Sequence, residues 1–323
     1  MIRLTGSARP SAVSTKTKQK YIDMENIVVL RVASSGLGNL LFQLNCAEKV
    51  ARRTGAKVKL DLQGLVGDEL HSDKTGAGEK VLDMAKLYGF QVEQATIRDI
   101  WVTRGGWQGR YKLTRLLAKI QMKLGCLRRS YFKEDNSERF DPEVDSLSAP
   151  IYLDGYFISS RYLGEDIGRQ SCTSNLFKYT DLINEINNTN SISIHIRRGD
   201  YCQLDDYPVY GMDYVRAASK LVEEKTGAGK YFVFTNDIDW ARRECKLLER
   251  EVVLVSEMTG PAWEDLELMS LCKHNIISNS TFSWWAGYRN RNPNRVVVMP
   301  KYWHKAFDEN FAENLELIGA VKI

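Results

Sequence analysis

Within His195-Ile196-Arg197-Arg198-Gly199-Asp200 the chain carries an imidazole, two adjacent guanidiniums and a carboxylate. Neighbouring arginines suit a diphosphate, because planar guanidinium forks bond phosphate oxygens two at a time. Upstream, Ile192, Ile194 and Ile196 alternate with Ser193, His195 and Arg197. This is the period of a strand with an apolar face one way and His195 and Arg197 the other. Ligands of open α/β sheets bind at the carboxyl ends of strands, which is where Arg198 and Asp200 fall. The competing reading is a strand end with solvated charges, Arg-Gly-Asp being a turn. An adhesion role for Arg-Gly-Asp is disfavoured by the apolar strand before it.

Two more strand ends carry chemistry. Tyr231–Thr235 delivers Asn236 and Asp237, and an Asp there can accept hydrogen bonds from a guanine edge or a ribose, or cap the helix beginning near Trp240. Asp237-Ile238-Asp239 is an Asp-x-Asp, a pattern that can hold a metal; two arginines already supply cationic charge, so no metal is expected. The third end, Ser278-Asn279-Ser280-Thr281-Phe282-Ser283-Trp284-Trp285, places four hydroxyls at a strand-to-helix turn, where free N–H groups and the helix dipole favour an anion. The hydroxyls read as a phosphate cradle, with a plain N-cap as the alternative, and the tryptophans read as core.

These ends need a scaffold. Ile27–Ala33 reads as a strand, followed by Ser34-Ser35-Gly36-Leu37-Gly38-Asn39, a helix ending near Gly55, and a strand at Lys57–Leu62. That is a Rossmann-like opening. Leu41 stands where the third glycine of the dinucleotide fingerprint belongs, which argues against a classical NAD site. The loop can still offer N–H groups to an anion, or serve only as a tight turn. Residues 64–80 read as a long surface loop, Ile151–Tyr156 as a strand, and Asn184–Asn190 as a hinge between domains. Strands at Ser191–Arg197, Tyr231–Thr235, Val252–Val255, Asn275–Ser278 and Arg295–Met299 then alternate with helical segments, as in a second parallel, doubly wound domain.

Composition limits the function classes. The 323 residues, 43% hydrophobic and 27% charged, fit a soluble protein of two domains. A net charge of +4 does not argue for nucleic acid. The charge is uneven, however. Arg104, Arg110, Lys112, Arg115, Lys119, Lys123, Arg128, Arg129 and Lys133 share a segment without acidic residues, in which Leu113, Leu116, Leu117, Ile120 and Leu124 fall on one helical face. Such a helix suits peripheral contact with a membrane or an anionic lipid-linked acceptor; packing on the core with a solvated basic face is the favoured reading. Six cysteines without a Cys-x-x-Cys pair indicate neither zinc nor a disulfide scaffold. No signal-peptide core or membrane span is visible, so the expected location is cytoplasmic, at most peripheral to a membrane. Residues 1–23 read as a disordered extension, with Met24 a candidate start.

Taken together, Gly36-Leu37-Gly38-Asn39 with Phe42-Gln43, His195–Tyr201, Phe234–Asp237 and the block from Trp263 through Cys272-Lys273-His274-Asn275 to Trp285 resemble the bacterial-type α-1,2-fucosyltransferases, glycosyltransferase family 11. Asp154-Gly155-Tyr156 and Pro300–Trp303 resemble them too. The resemblance implies an α/β GT-B fold, with two Rossmann-like doubly wound domains facing across a cleft. Residues 24–187 would form the acceptor side and 188–323 the donor domain. It implies inverting transfer of L-fucose from GDP-fucose to the 2-OH of a terminal galactoside, without a cofactor or obligatory metal. Arg198 would hold the diphosphate with Arg197 assisting, and His195 and Asp200 complete the catalytic set. Gly36, Gly38, Asn39, Asn236, Asp237, Asn279, Ser280, Thr281, Phe282 and Ser283 would bind substrate. Asp200, His195, Asp61 and His71 all remain open as general base. Leu40, Leu44 and Asn236 depart from the family pattern, where Gln, an aromatic and Asp are usual. A protein O-fucosyltransferase and a silent nucleotide-sugar-binding protein are the alternatives.

Overall fold

The computed structural model describes residues 25–33, 36–65, 77–104, 130–135, 139–164, 172–304 and 319–323, with isolated positions 116, 120, 314, 315 and 317. Two parallel sheets dominate. The first comprises β1 (Ile27–Arg31), β2 (Lys57–Asp61), β3 (Val92–Gln94), β4 (Tyr131–Lys133) and β5 (Ile151–Asp154), in the order β3-β2-β1-β5-β4. The second comprises β6 (Ser191–Ile196), β7 (Lys230–Thr235), β8 (Val252–Leu254), β9 (His274–Ile276), β10 (Val297–Met299) and β11 (Val321–Lys322), in the order β11-β10-β9-β6-β7-β8. Helices cross between parallel strands, and this α/β layout in two halves is that of a GT-B chain.

Central parallel strands are covered on both faces, so they must be apolar or internally satisfied. β1 meets the first condition with Ile-Val-Val-Leu. β6 is buried throughout although every second residue is polar. Its isoleucines pack with Val215, Ala218 and Val222 of the Met212–Thr226 helix. On the other face Ser191 Oγ accepts from Lys273 N (3.0 Å), Ser193 Oγ from Asn275 Nδ2 (2.7 Å), and His195 Nδ1 bonds Ser278 Oγ (2.8 Å).

The halves share one core cluster that includes Val28, Leu30 and Phe42 from the first and Phe232, Leu266, Trp284 and Trp285 from the second. Phe42 packs 4.8 Å from the Trp284 ring and 4.9 Å from the Trp285 ring. Trp285 Nε1 donates to the Gly38 carbonyl at 2.9 Å. Elsewhere on the seam a buried Glu267–Arg289 ion pair (2.6 Å) accepts the Cys172 N–H at 3.0 Å and sits 4.8 Å from the Tyr88 ring.

Several local expectations change. The asparagine cluster is not a hinge loop: Thr180–Asn188 is a helix anchored by buried Leu182 and Ile186, an apolar i, i+4 pair that outweighs the turn propensity of asparagine. The predicted 64–80 loop ends earlier, with a helix from Ala77 to Leu87 that buries Val81 and Ala85. Strands β3, β4 and β11 were not foreseen. Residues 1–23 and most of the basic 104–133 segment lie outside the described residues. Of its apolar face only Leu116 and Ile120 are described, and both are exposed, so core packing does not hold for these two. No helix among the described residues is long and apolar enough to cross a membrane.

Candidate active site

The site forms where the turns after β1, β6, β7 and β9 come together. The 18-residue helix Leu37–Thr54 begins at Gly36, and the helix Thr281–Arg289 begins at Ser280. Their first turns pack against each other. Thr281 Oγ1 donates to Asn39 Oδ1 at 2.8 Å, and a Cβ on Gly38 would lie 2.5 Å from Phe282 N. Glycine at 38 is therefore required by the close approach of the two halves. Two helix N-termini thus converge, and the first turn of a helix carries partial positive charge on its N–H groups.

Beside them is the turn after β6. Arg198 N donates to Asn236 Oδ1 (2.9 Å), and Asn236 Nδ2 donates to Asp200 Oδ1 (3.3 Å). A side chain on Gly199 would collide with Asn236, 2.4 Å from its Nδ2. Asn236 can clamp this turn because an amide offers both donor and acceptor. Arg197 pairs with the other Asp200 oxygen at 2.7 Å. Arg198 Nε pairs with Asp237 Oδ2 at 3.3 Å, and its guanidinium lies 4.3 Å from the Trp240 ring. Among the described residues the terminal Arg198 nitrogens have no hydrogen-bond partner, so the fork is held and its donors are free for an anion. Asp237 also caps the helix Ile238–Glu244 through Trp240 N (3.2 Å), so both of its expected roles are compatible.

Other predicted site residues are used differently. His195 is buried, bonded to Ser278 and 5.5 Å from the Phe282 ring. Burial, with the nearby Arg197 charge adding, pushes its pKa down to about 3, so it sits beneath the loop as a neutral ring. Ser283 is fully buried and bonded to the Ser278 N–H (3.3 Å), out of reach of a phosphate. Asn279 donates its amide to the carbonyls of Pro208 and Trp303, both at 3.0 Å, which ties loops together behind the site. Ser280 makes no side-chain cap bond and remains a candidate phosphate donor. Trp284 and Trp285 are core, as expected.

Among the predicted bases, His71 lies outside the described residues. Asp61 is buried and accepts from Gln63 N (3.0 Å) and Tyr152 Oη (2.6 Å). Asp200 has 28% of its side chain exposed, close to the 33% of Asp237. Asp239 pairs with Arg242 at 2.9 Å, so each carboxylate of the Asp-x-Asp is already ion-paired. No cluster of three metal-ligating side chains occurs among the described residues. Sequence reasoning missed the Trp240 platform and the rings of Tyr201, Tyr207 and His304 next to the Asp200 turn. Four tyrosines between 201 and 214, fitting no single helix or strand period, were the available signal.

Comparison with known proteins gives this geometry a context. The model of the family "Glycosyl transferase family 11" matches residues 125–318. The chain is 27% identical over 303 residues to an alpha-1,2-colitosyltransferase of Escherichia coli, covering 88% of this chain and 95% of that protein. It is 31% identical over 189 residues to the O-antigen biosynthesis glycosyltransferase WbnK of Escherichia coli, a match spanning only 57% of each chain. Over 102 residues, 30% of this chain and 28% of the relative, it is 28% identical to a galactoside alpha-(1,2)-fucosyltransferase 1 of Aotus azarae. Among solved structures, the fucosyltransferase NodZ from Bradyrhizobium is 17% identical with a TM-score of 0.46, covering 82% of this chain and 92% of that one.

Proposed function

The chain belongs to glycosyl transferase family 11, and on that premise we propose that it moves L-fucose from GDP-fucose, with inversion, to the 2-OH of a terminal galactoside, with no obligatory metal. The observation that carries this reading is the held but open Arg198 fork beside two converging helix N-termini. In an inverting transfer the acceptor hydroxyl attacks the face opposite the departing GDP. The sugar passes through an oxocarbenium-like state while negative charge grows on the diphosphate. Donors fixed at that oxygen lower the barrier directly. Arg198 and the Ser280–Phe282 turn supply them, Arg197 holds Asp200 in place, and Asp237 accepts from the nucleoside. Asp200, part-exposed at the end of the turn after β6, takes the acceptor proton.

The test is calorimetric titration of GDP into wild type and Arg198→Ala with chelator present, followed by transfer from GDP-fucose and NMR assignment of the new linkage. Binding and an α-1,2-fucosyl product support the reading. Absence of GDP binding by wild type, or activity that disappears with chelator and returns with Mn²⁺, refutes the corresponding part. A second reading keeps the α-1,2 linkage but changes the donor, favoured by the colitosyltransferase relative that matches over nearly its whole length. A panel of nucleotide-activated deoxysugars separates the two.

A further inference from the structure

One helix of the first half turns an apolar face to solvent. Ile97–Arg104 packs on the first sheet and is firmly seated by its inner side. Thr96 and Asp99 cap it reciprocally: Asp99 N donates to Thr96 Oγ1 at 3.1 Å, and Thr96 Oγ1 donates to Asp99 Oδ2 at 2.8 Å. Lys59 of β2 pairs with Asp99 at 3.3 Å. Ile100 packs with Ile27, Val29 and Tyr152, and the Arg104 guanidinium lies 5.1 Å from the Tyr152 ring. On the outer side Ile97 and Trp101, one turn apart, are 80% and 67% exposed, with exposed Arg98 between them in sequence. The helix is held without them.

The pattern recurs farther along the chain. Leu116 and Ile120, again four residues apart, are 54% and 45% exposed. Of the ten large apolar side chains exposed among the described residues, four therefore fall between positions 97 and 120. Single exposed apolar residues are ordinary, but a concentration of them marks a surface that meets a partner. Charge identifies the partner. Residues 104–133 carry nine lysines and arginines and no acidic residue, in a chain whose net charge is only +4, so the remainder is net acidic. A second copy of this chain would set like charges against each other. A nucleic acid would take up the charge and leave the four apolar side chains in water. An anionic bilayer answers both features. Its headgroups attract Lys and Arg, and Trp and aliphatic side chains settle at the boundary between headgroups and acyl chains.

We infer that the outer face of the Ile97–Arg104 helix, together with Leu116 and Ile120, docks the protein on an anionic lipid bilayer. Ile97 and Trp101 enter the headgroup boundary, Arg98 meets headgroup phosphates, and the basic stretch that follows the helix supplies the longer-range attraction. The surface belongs to the first half alone and owes nothing to the donor site, so it stands or falls separately from the fucosyl-transfer reading. The seating of the helix matters to it. A face already fixed by the Thr96–Asp99 cap and the Lys59 pair loses little conformational freedom on docking.

The experiment is co-sedimentation of the full chain with vesicles of phosphatidylcholine alone and of equal parts phosphatidylcholine and phosphatidylglycerol. Wild type should bind the mixed vesicles and scarcely the neutral ones. Raising salt from about 0.1 to 1 M, which shortens the Debye length from about 10 to about 3 Å, should release most of it. The double variant Ile97→Ser, Trp101→Ser should bind mixed vesicles at least about tenfold more weakly, and Arg98→Glu about tenfold more weakly. All three positions are exposed, so the thermal unfolding midpoint should match that of wild type. Trp101→Phe keeps an apolar ring and should bind within about twofold of wild type, yet lose part of the tryptophan quenching that brominated acyl chains produce. Failure of wild type to bind mixed vesicles overturns the docking surface, as does equal binding to neutral ones. Full binding by the double variant, or quenching unchanged in Trp101→Phe, overturns it too, because the charge then adsorbs without this face. Self-association of wild type that the double variant abolishes, without vesicle binding, would assign the face to a second copy instead.

Discussion

Replacing Arg198 by alanine tests the donor assignment most directly, because the structure separates the side chain's chemistry from its part in folding. The turn is clamped through the Arg198 backbone N–H to Asn236 Oδ1, a bond any non-proline residue retains. The side chain makes one ion pair, with Asp237, which is itself one-third exposed, so its loss costs stability only about 0–1 kcal/mol. Transfer should suffer far more. Removing one preorganised donor from a developing oxyanion costs about 2.7–4 kcal/mol, or about 10²–10³-fold in kcat. Alanine also leaves Asp237 unneutralised near the diphosphate, which pushes the loss toward the upper end. Lysine restores a point charge but cannot pair with Asp237 and lie flat on Trp240 while extending two further donors, so Arg198→Lys should recover only part of the activity. The assay is single-turnover transfer from GDP-fucose at saturating donor, with GDP titration and thermal unfolding in parallel. Near-normal kcat in Arg198→Ala with an unchanged unfolding midpoint would refute the assignment.

Three further outcomes are expected. Asn236→Ala removes two of the bonds that hold the Arg198–Asp200 turn and should lower kcat/KM by about 10–100-fold, about 1–3 kcal/mol, as steady-state kinetics would show. Glu267→Ala removes the carboxylate paired with the buried Arg289 and should cost about 3–5 kcal/mol in denaturant unfolding, whereas Glu267→Leu with Arg289→Met should recover most of it. His195 sits at about 3 in the folded protein against 6.5 for the free side chain. The unfolded chain therefore binds the extra proton between those values, and stability is full above about pH 6.5 and lost on acidification toward about pH 3, by up to about 5 kcal/mol. His195→Gln should flatten the dependence of unfolding free energy on pH between about 5 and 6.5.

What the sequence revealed about the site was chiefly what is local in it. The alternation in Ser191–Ile196 located β6, and Arg197, Arg198 and Asp200 fall at its end because a strand of known period leaves no other place for them. Gly55 was legible as a helix stop, and it is the left-handed cap of Leu37–Thr54. The use of each hydroxyl in Ser278–Ser283 was not legible, since a serine facing a phosphate and one bonding its own turn have the same local sequence. Gly38 looked like a phosphate-loop glycine because local pattern cannot express its contact with Phe282, from the distant end of the chain.

The way the charges are paired makes a prediction about salt that separates this site from a simple basic patch. Arg197 with Asp200 and Arg198 with Asp237 are neutral as pairs, so attraction for a diphosphate cannot come from net charge at the turn. It must come from oriented donors: the free end of the Arg198 fork and the N–H groups of two helices whose first turns are joined by Thr281 and Asn39. Such donors act at contact distance and are shielded from counter-ions by the ligand they hold, whereas unpaired surface charges act over a Debye length, which shrinks from about 30 Å at 0.01 M salt to about 3 Å at 1 M. GDP affinity should therefore fall by less than about tenfold over most of that range. In Asp237→Asn, which frees the Arg198 charge, binding should be tighter at low salt and the salt dependence steeper. A wild-type slope as steep as that of the variant would show that the pairs do not persist in the bound state, and that the site attracts its donor as a bare cationic surface would.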